Sequence, residues 1–401
     1  MLPTRTGRLW LGLRWGLALA VIVLFIYSSK FLLAPALDSP LTMLPIKPLS
    51  STTRVAFLAD AGLNKASKLV LEMLRNESVE MVLHSGDLDY TGKATEFYRL
   101  VDRVLGRDFP YFVTMGNYES KRLSGGRDMA WHAYQKLQRE RLGRIDGLKC
   151  ATVTNRNLAC ELRGVSFVTS AIGVNGTRLG LDLQELQAAS IKLWGEQTAS
   201  WRICSWHLPL ANFQVGFREG VPWMNANKFL EAYEHCRRFG AMIVNGHEHY
   251  YVRSHTIHEF SHSNVQFQHA KTNNTNNALE KDEIAIGPGS TLAVVSGLGG
   301  HSVSIPSLTK VRELDHLAVV HPLYLAQERE VKGKYFFPLI TGDKPVSSSE
   351  QINLPVPPKQ GYPFGALICE LQATPKSQAK GECYFKTIAG TVVDRFTLAR
   401  F

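Results

Sequence analysis

Glu80-Met81-Val82-Leu83-His84-Ser85-Gly86-Asp87-Leu88-Asp89-Tyr90 is the stretch whose reading decides the fold class. Its first five residues have the short, mostly apolar pattern of a buried strand, which breaks at Ser-Gly into a carboxylate-bearing turn. The same grammar repeats on either side. Upstream, Arg54–Ala59 reads as a strand running into Asp60, and Leu63–Leu74 puts Leu63, Ala66, Leu69, Val70, Met73 and Leu74 on one helical face. Downstream, Phe97, Leu100, Val101, Val104 and Leu105 recur at helical spacing before a strand at Tyr111–Met115. Farther on, Arg202–Trp206 and Ala241–Val244 read as strands around a helix carrying Phe229, Leu230, Tyr233 and Cys236. Alternation of this kind builds an α/β protein of layered sheets covered by helices.

Beyond residue 253 the pattern changes. Residues 254–288 are polar, rich in Asn and His, and predict a long loop. Leu292–Ser296 predicts a strand, and residues 301–360 are proline-punctuated and irregular. Ala366–Leu371, Glu382–Ile388 and Val392–Leu398 predict antiparallel strands, with Ala389-Gly390 turning between the last two. These strands are expected to complete a second sheet of a single domain spanning 53–401.

The first 52 residues follow a different logic. Arg5, Arg8 and Arg14 precede an apolar run from Trp15 to Tyr27, and Lys30 interrupts a second apolar patch at Phe31–Leu33. That is the charged-then-apolar order of a secretory signal. The run is short of the ~20 residues that cross a bilayer comfortably, but Trp15–Leu33 spans if Lys30 snorkels. Residues 1–36 are therefore expected to form a signal anchor with a cytoplasmic N-terminus. The alternative is cleavage near Ala34-Pro35-Ala36 and secretion. Residues 37–52 read as a linker.

Six cysteines agree with export. Cys150/Cys160 and Cys369/Cys383 are placed to close short loops, whereas Cys204 and Cys236 have no local argument for pairing and read as buried thiols. Asn76-Glu77-Ser78, Asn175-Gly176-Thr177 and Asn273-Asn274-Thr275 are glycosylation sequons. The net charge of +10 is spread along the chain and singles out no nucleic-acid-binding surface.

The candidate chemistry lies in five short motifs, each just past the carboxyl end of a predicted strand, where α/β sheets place their sites. They are Asp60-Ala61-Gly62, Gly86-Asp87-Leu88-Asp89-Tyr90, Gly116-Asn117-Tyr118-Glu119, Trp206-His207-Leu208-Pro209 and Gly246-His247-Glu248-His249. Carboxylates, a phenol, an amide and imidazoles form an oxygen and nitrogen set suited to hard or borderline metal ions. Taken singly, each residue has a plainer role: Asp60 as a helix cap, Tyr90 or His207 as core. His84 reads as structural, and His255, His258, His262 and His269 as solvated loop residues.

In this order the motifs resemble the calcineurin-like metallophosphoesterase superfamily. Two details are similar to the purple acid phosphatases: Asp60-x-Gly62 in place of Asp-x-His, and Tyr90 three residues after Asp87. Val82-Leu83-His84-Ser85-Gly86-Asp87, Val294-Val295-Ser296-Gly297-Leu298-Gly299-Gly300 and the C-terminal Gly390–Leu398 add to the likeness. The resemblance implies a four-layer αββα sandwich, two mixed sheets flanked by helices. It implies a first metal on Asp60, Asp87, Tyr90 and His249, and a second on Asp87, Asn117, His207 and His247, with Asp87 bridging. The ions would be Fe(III) with Fe(II), Zn or Mn. A hydroxide activated between them would hydrolyse monoesters of phosphorylated small molecules or phosphoproteins. Related centres also serve phosphodiesterases and nucleotide pyrophosphatases.

One position departs from the family. The histidine that usually follows the asparagine, implicated in leaving-group protonation or phosphate binding, is Tyr118 here. A phenol gives up its proton far less readily than an imidazolium near neutrality. His301 is the candidate to supply the proton instead, and a membrane-held pseudoenzyme is the alternative from another class.

Overall fold

The computed structural model describes residues 52–120, 130–174, 178–195, 199–216, 227–260, 265–268, 282–322, 363–372 and 379–401. The expected signal anchor and linker, two of the three sequons, and His262 and His269 lie outside the described residues. Among the described residues no helix is long and apolar enough to cross a membrane.

Apart from the two-stranded pair of β10(Thr256–Phe260) with β11(Val265–Gln268), the described strands form two mixed sheets. The first runs β12(Asp282–Ile286), β17(Val392–Arg400), β16(Lys380–Thr387), β15(Gly365–Gln372), β1(Thr52–Leu58), β2(Met81–His84), β3(Tyr111–Val113). The second runs β14(Leu317–His321), β9(Tyr251–Ser254), β13(Ala293–Ser296), β8(Met242–Asn245), β7(Trp201–Ser205), β6(Val165–Ser170), β5(Asn157–Leu162), β4(Lys149–Val153). The pairings β1–β2 and β2–β3 are parallel, as are β6–β7, β7–β8 and β8–β13. The parallel strands of each sheet thus end at a common edge. The C-terminal strands, expected to complete a second sheet, instead extend the sheet of β1–β3 by the antiparallel pairing of β15 with β1.

Side-chain alternation creates the layers. Along β7, Ile203 points into a core shared by the inner faces of both sheets, and Cys204 points into a second core beneath the helices α4(Leu179–Trp194) and α5(Asn227–Arg238). Val294 of β13 faces the first core, and Ala293 and Val295 face the second. Helices α1(Lys65–Asn76), α2(Ala94–Leu105) and α3(Trp131–Leu142) cover the first sheet, and a short α6(Leu308–Glu313) follows β13. This is the expected arrangement of two mixed sheets flanked by helices.

Asn64, not Asp60, caps α1. Its side chain accepts from Ser67 N at 2.9 Å while Ser67 Oγ accepts from Asn64 N at 3.1 Å. The Asn64 amide also donates to Gly300 O at 2.9 Å, tying the helix start to the turn after β13. Asp60 is left for other work.

Several expectations are corrected. Leu69, placed on the buried face of α1, is 36% exposed, and Leu71 is buried instead. Part of the stretch 254–288 read as loop is strand: β10(Thr256–Phe260), β11(Val265–Gln268) and β12. β10 exposes His258 while burying Ile257 and Phe260, an interrupted alternation that its polar surroundings obscured. Cys204 and Cys236 are not thiols but a disulfide between β7 and α5, with Cα atoms 6.4 Å apart. Their separation of 32 residues carried no local signal. Cys150–Cys160 and Cys369–Cys383 pair across adjacent strands as expected.

The two sheets are also tied by a buried ion pair. Arg253 of β9 donates to both carboxylate oxygens of Asp394 on β17, at 2.6 and 3.0 Å, and Tyr251 OH donates to the same carboxylate at 2.6 Å. Removing one partner strands the other charge out of water. Asp394→Ala is therefore expected to cost about 3–5 kcal/mol, read as a lower denaturant midpoint with an unchanged slope.

Candidate metal centre

All five motifs sit at the common carboxyl edge, where backbone bonds carry the sheet pairing into the loops. Asp60 N, Ala61 N and Gly62 N donate to Gly86 O, Asp87 O and Leu88 O, continuing the β1–β2 ladder beyond the strands. Gly246 N donates to His207 O, joining the loops after β7 and β8. Gly299 N and His301 N donate to Ala59 O and Asp60 O, bridging the second sheet to the first.

Among the described residues six non-glycine positions have positive φ. Four are sequence-predicted ligands: Asp60 (58°), Asp87 (53°), Tyr90 (62°) and His247 (72°). Such backbone costs on the order of 1–3 kcal/mol per residue and persists where the surroundings over-determine it. Two glycines show how close the loops come. A Cβ on Gly116 would lie 2.1 Å from Asp87 Oδ1, and one on Gly246 would lie 2.3 Å from Ala59 Cβ and 3.0 Å from Asp60 Oδ2.

The seven predicted ligands converge in two knots. In the first, Tyr90 OH donates to Asp60 Oδ1 at 2.9 Å and lies 3.0 Å from His249 Nε2, which is 3.5 Å from Asp60 Oδ1. In the second, Asn117 Oδ1 lies 3.0 Å from His207 Nε2 and 3.1 Å from His247 Nδ1, and His207 Nε2 is 3.3 Å from Asp87 Oδ1. Ligand atoms of Asp60, Asp87 and His207 fall within 4.8 Å of one another, which joins the knots. Asp60 Oδ2 is buried and has no hydrogen-bond partner. An unpaired carboxylate oxygen at the meeting point of imidazoles, a phenol and a second carboxylate fits a metal ion, which would satisfy it.

The predicted candidates for proton transfer lie against the first knot. The His301 ring stacks on Tyr90 at 3.4 Å and 12°, and Tyr118 packs edge-on against Tyr90 at 4.5 Å. Tyr118 is 38% exposed, and its backbone N–H donates to Asp87 Oδ1 at 3.0 Å. His84 is structural, buried with Nδ1 2.9 Å from Tyr111 OH.

Electrostatics in the metal-free chain follow from burial and crowding. Burial disfavours charge on His207, but Asp87 outweighs it and holds the imidazolium up to about 9. Burial, reinforced by charged His207, pushes His247 down to about 4, and burial with His249 nearby does the same to His301. Burial pushes the Tyr90 phenol well above 10, and Asp60 adds to it.

Three supports were not assigned from sequence. Ser302 Oγ bonds His249 Nδ1, and Ser85 O takes His207 Nδ1 at 2.8 Å, so each ring turns Nε2 to the cluster. Glu119 accepts backbone N–H bonds behind Asp87. Its place in the Gly116–Glu119 motif was the available signal; a serine beside His301 offered none.

Residues 53–251 match the calcineurin-like phosphoesterase family. The chain belongs to this metallophosphoesterase superfamily. Members use a dinuclear metal centre, and the cluster above is the candidate for it here. No curated protein matches the chain. Among solved structures it is similar to the purple acid phosphatase PPD1 of yellow lupin (Lupinus luteus) seeds, with 16% identity and a TM-score of 0.47 over 88% of this chain. The chain spans 54% of the length of that protein. It is similar also to "GAP50 the anchor in the inner membrane complex of Plasmodium", with 12% identity and a TM-score of 0.44 over 87% of this chain and 89% of that one. PhoD matches at 11% identity and a TM-score of 0.44, over 87% of this chain and 70% of that one.

His207 makes the metal-free metallophosphoesterase pH-sensitive. Its folded pKa of about 9 lies above the unfolded value of ~6.5, so its contribution is complete below pH ~6.5 and is lost as pH rises through about 9. Chelator-treated protein should show a urea midpoint that falls between pH 6.5 and 9.5, with a shallower fall in His207→Gln.

Proposed function

We propose that this chain is a metal-dependent phosphoric-ester hydrolase of the purple acid phosphatase type, acting on phosphate monoesters of small molecules or phosphoproteins. The observation that carries the reading is the pair of knots around Asp60 and Asn117, joined at Asp87 beside an unpaired buried carboxylate oxygen. Asp60, Tyr90 and His249 would hold one ion, and Asn117, His207 and His247 the other, with Asp87 shared. A metal pair supplies Lewis acidity toward phosphoryl oxygens and a water nucleophile of lowered pKa. Fe(III) at the Tyr90 site with Fe(II), Zn or Mn beside it suits the donors.

The chain's own residues do the rest. Ser85 O and Ser302 Oγ hold His207 and His249 with Nε2 turned inward. Tyr90 must give up its phenolic proton to ligate, since in the metal-free chain it donates to Asp60. Tyr118, exposed beside Asn117, would donate a hydrogen bond to a departing ester oxygen. In the metal-free chain burial pushes His301 down to about 4, and its ring stacks on Tyr90. The absence of an imidazolium at position 118 favours good leaving groups. It also supports the second reading, a pseudoenzyme that keeps its metals and binds phosphorylated partners.

Three disulfides suit an extracytoplasmic domain. We place it on the non-cytoplasmic face of a membrane, held by the segment before residue 37.

Assays with aryl phosphates, bis-aryl phosphates and nucleotides, alongside metal analysis, separate the readings. Turnover of aryl monoesters is expected, and metal without turnover of any ester would leave the pseudoenzyme. Asp87→Asn should lower kcat/KM by more than the roughly 100-fold that loss of an outer-shell partner costs. Tyr118→His should raise kcat if proton donation limits the rate. A visible absorption band lost in Tyr90→Phe would place ferric iron on that phenol, and a colourless active protein would exclude it.

A further inference from the structure

Glu119 lies two residues past Asn117 and is only 1% exposed. A carboxylate so buried needs partners, and it finds three, all backbone N–H groups. Its Oε1 accepts from Leu88 N at 2.8 Å, and its Oε2 accepts from Asp87 N at 3.0 Å and Gly116 N at 2.8 Å. Two of these donors belong to the loop after β2 and one to the loop after β3. The return bond runs the other way: Asp87 Oδ1 accepts from Tyr118 N at 3.0 Å. Each loop therefore offers a carboxylate to the other loop's backbone, a reciprocal clasp across 32 residues of sequence.

The clasp is specific in shape. Asp87 N and Leu88 N point the same way because Asp87 has φ of 53°, which turns successive N–H groups into an anion-binding concavity. Gly116 completes it; a Cβ there would meet Asp87 Oδ1 at 2.1 Å and Glu119 Oε2 at 2.9 Å. Glu119 is not itself placed as a ligand. Both its oxygens are engaged by backbone, and the group whose ligand atoms converge is Asp60, Asp87 and His207.

We infer that Glu119 is a positioning residue that sets the spacing of Asp87 and Asn117 for the second metal ion without touching it. The inference rests on the reading of those two residues as ligands given under Proposed function. Glu119→Gln preserves size but puts an NH2 group where only acceptors fit, so at least one N–H loses its partner and the loops separate.

The test is titration of the metal-free full chain with Mn2+, followed by electron paramagnetic resonance and thermal denaturation. The unaltered chain is expected to take two Mn2+ and to show the signal of an exchange-coupled pair. Glu119→Gln is expected to keep the first Mn2+ and to bind the second roughly 10–100-fold more weakly, with an uncoupled signal and a metal-free thermal midpoint near the original. Glu119→Asp, which keeps the carboxyl group but is one methylene short of spanning both loops, should behave alike. Two Mn2+ bound by Glu119→Gln as by the unaltered chain would overturn the inference and leave the metal centre standing. Loss of both ions together with early metal-free unfolding, or failure of both variants to fold, would assign Glu119 to the fold and equally overturn it. No Mn2+ bound by the unaltered chain would overturn the metal-centre reading, and this inference with it.

Discussion

Three buried hydroxyl hydrogen bonds pin the two sheets together at their carboxyl edges, and the candidate centre depends on them. Ser296 Oγ donates to Phe57 O at 2.9 Å, Ser85 Oγ meets Ser205 Oγ at 2.8 Å, and Thr114 Oγ1 donates to Ser170 O at 2.7 Å. Each contact joins one sheet to the other, through strand residues or, for Ser85 and Thr114, the residue just past a strand. Phe57 is three residues before Asp60, Ser85 two before Asp87, Thr114 three before Asn117, and Ser205 two before His207. Apolar packing between sheets is non-directional and tolerates sliding, whereas a buried hydroxyl left unpaired costs about 1–3 kcal/mol. The pins therefore fix the register in which side chains from both sheets meet, and Arg253 with Asp394 adds a further tie.

With register fixed, strained loops become tolerable. Asp60, Asp87, Tyr90 and His247 adopt left-handed backbone, and Gly116 and Gly246 let neighbouring loops approach more closely than any side chain permits. The resulting cluster is electrostatically unsettled in the metal-free chain. It buries two aspartates beside three imidazoles, keeps His207 charged and His247 neutral, and leaves Asp60 Oδ2 without a partner. Cations held there would relieve these tensions together.

The ligand side and the leaving-group side of the site differ in character. The ligand side brings together the carboxylates, phenol, amide and imidazoles of Asp60, Asp87, Tyr90, Asn117, His207, His247 and His249. The proposed leaving-group side carries an aromatic wall, His301 stacked on Tyr90 and Tyr90 against Tyr118. On the reading proposed above, metal binding and rate of turnover would be separable, because different residues would govern them.

The sequence by itself determined the strand-to-loop grammar and, through the resemblance it carries, the sandwich architecture and the seven side chains that meet. Apolar runs ending in Gly-Asp, Gly-Asn and Gly-His are local patterns, and local patterns are legible. Helices α3 and α4 were not, since α3 buries Tyr134, Gln135, Gln138 and Arg141, and α4 leaves Leu181 and Ile191 exposed. Only the tertiary structure decided that Cys204 joins Cys236, that Asn64 relieves Asp60 of capping, and that Glu119 stands behind Asp87. Those choices rest on distances between residues far apart in the chain, which are set when two sheets lock in one register.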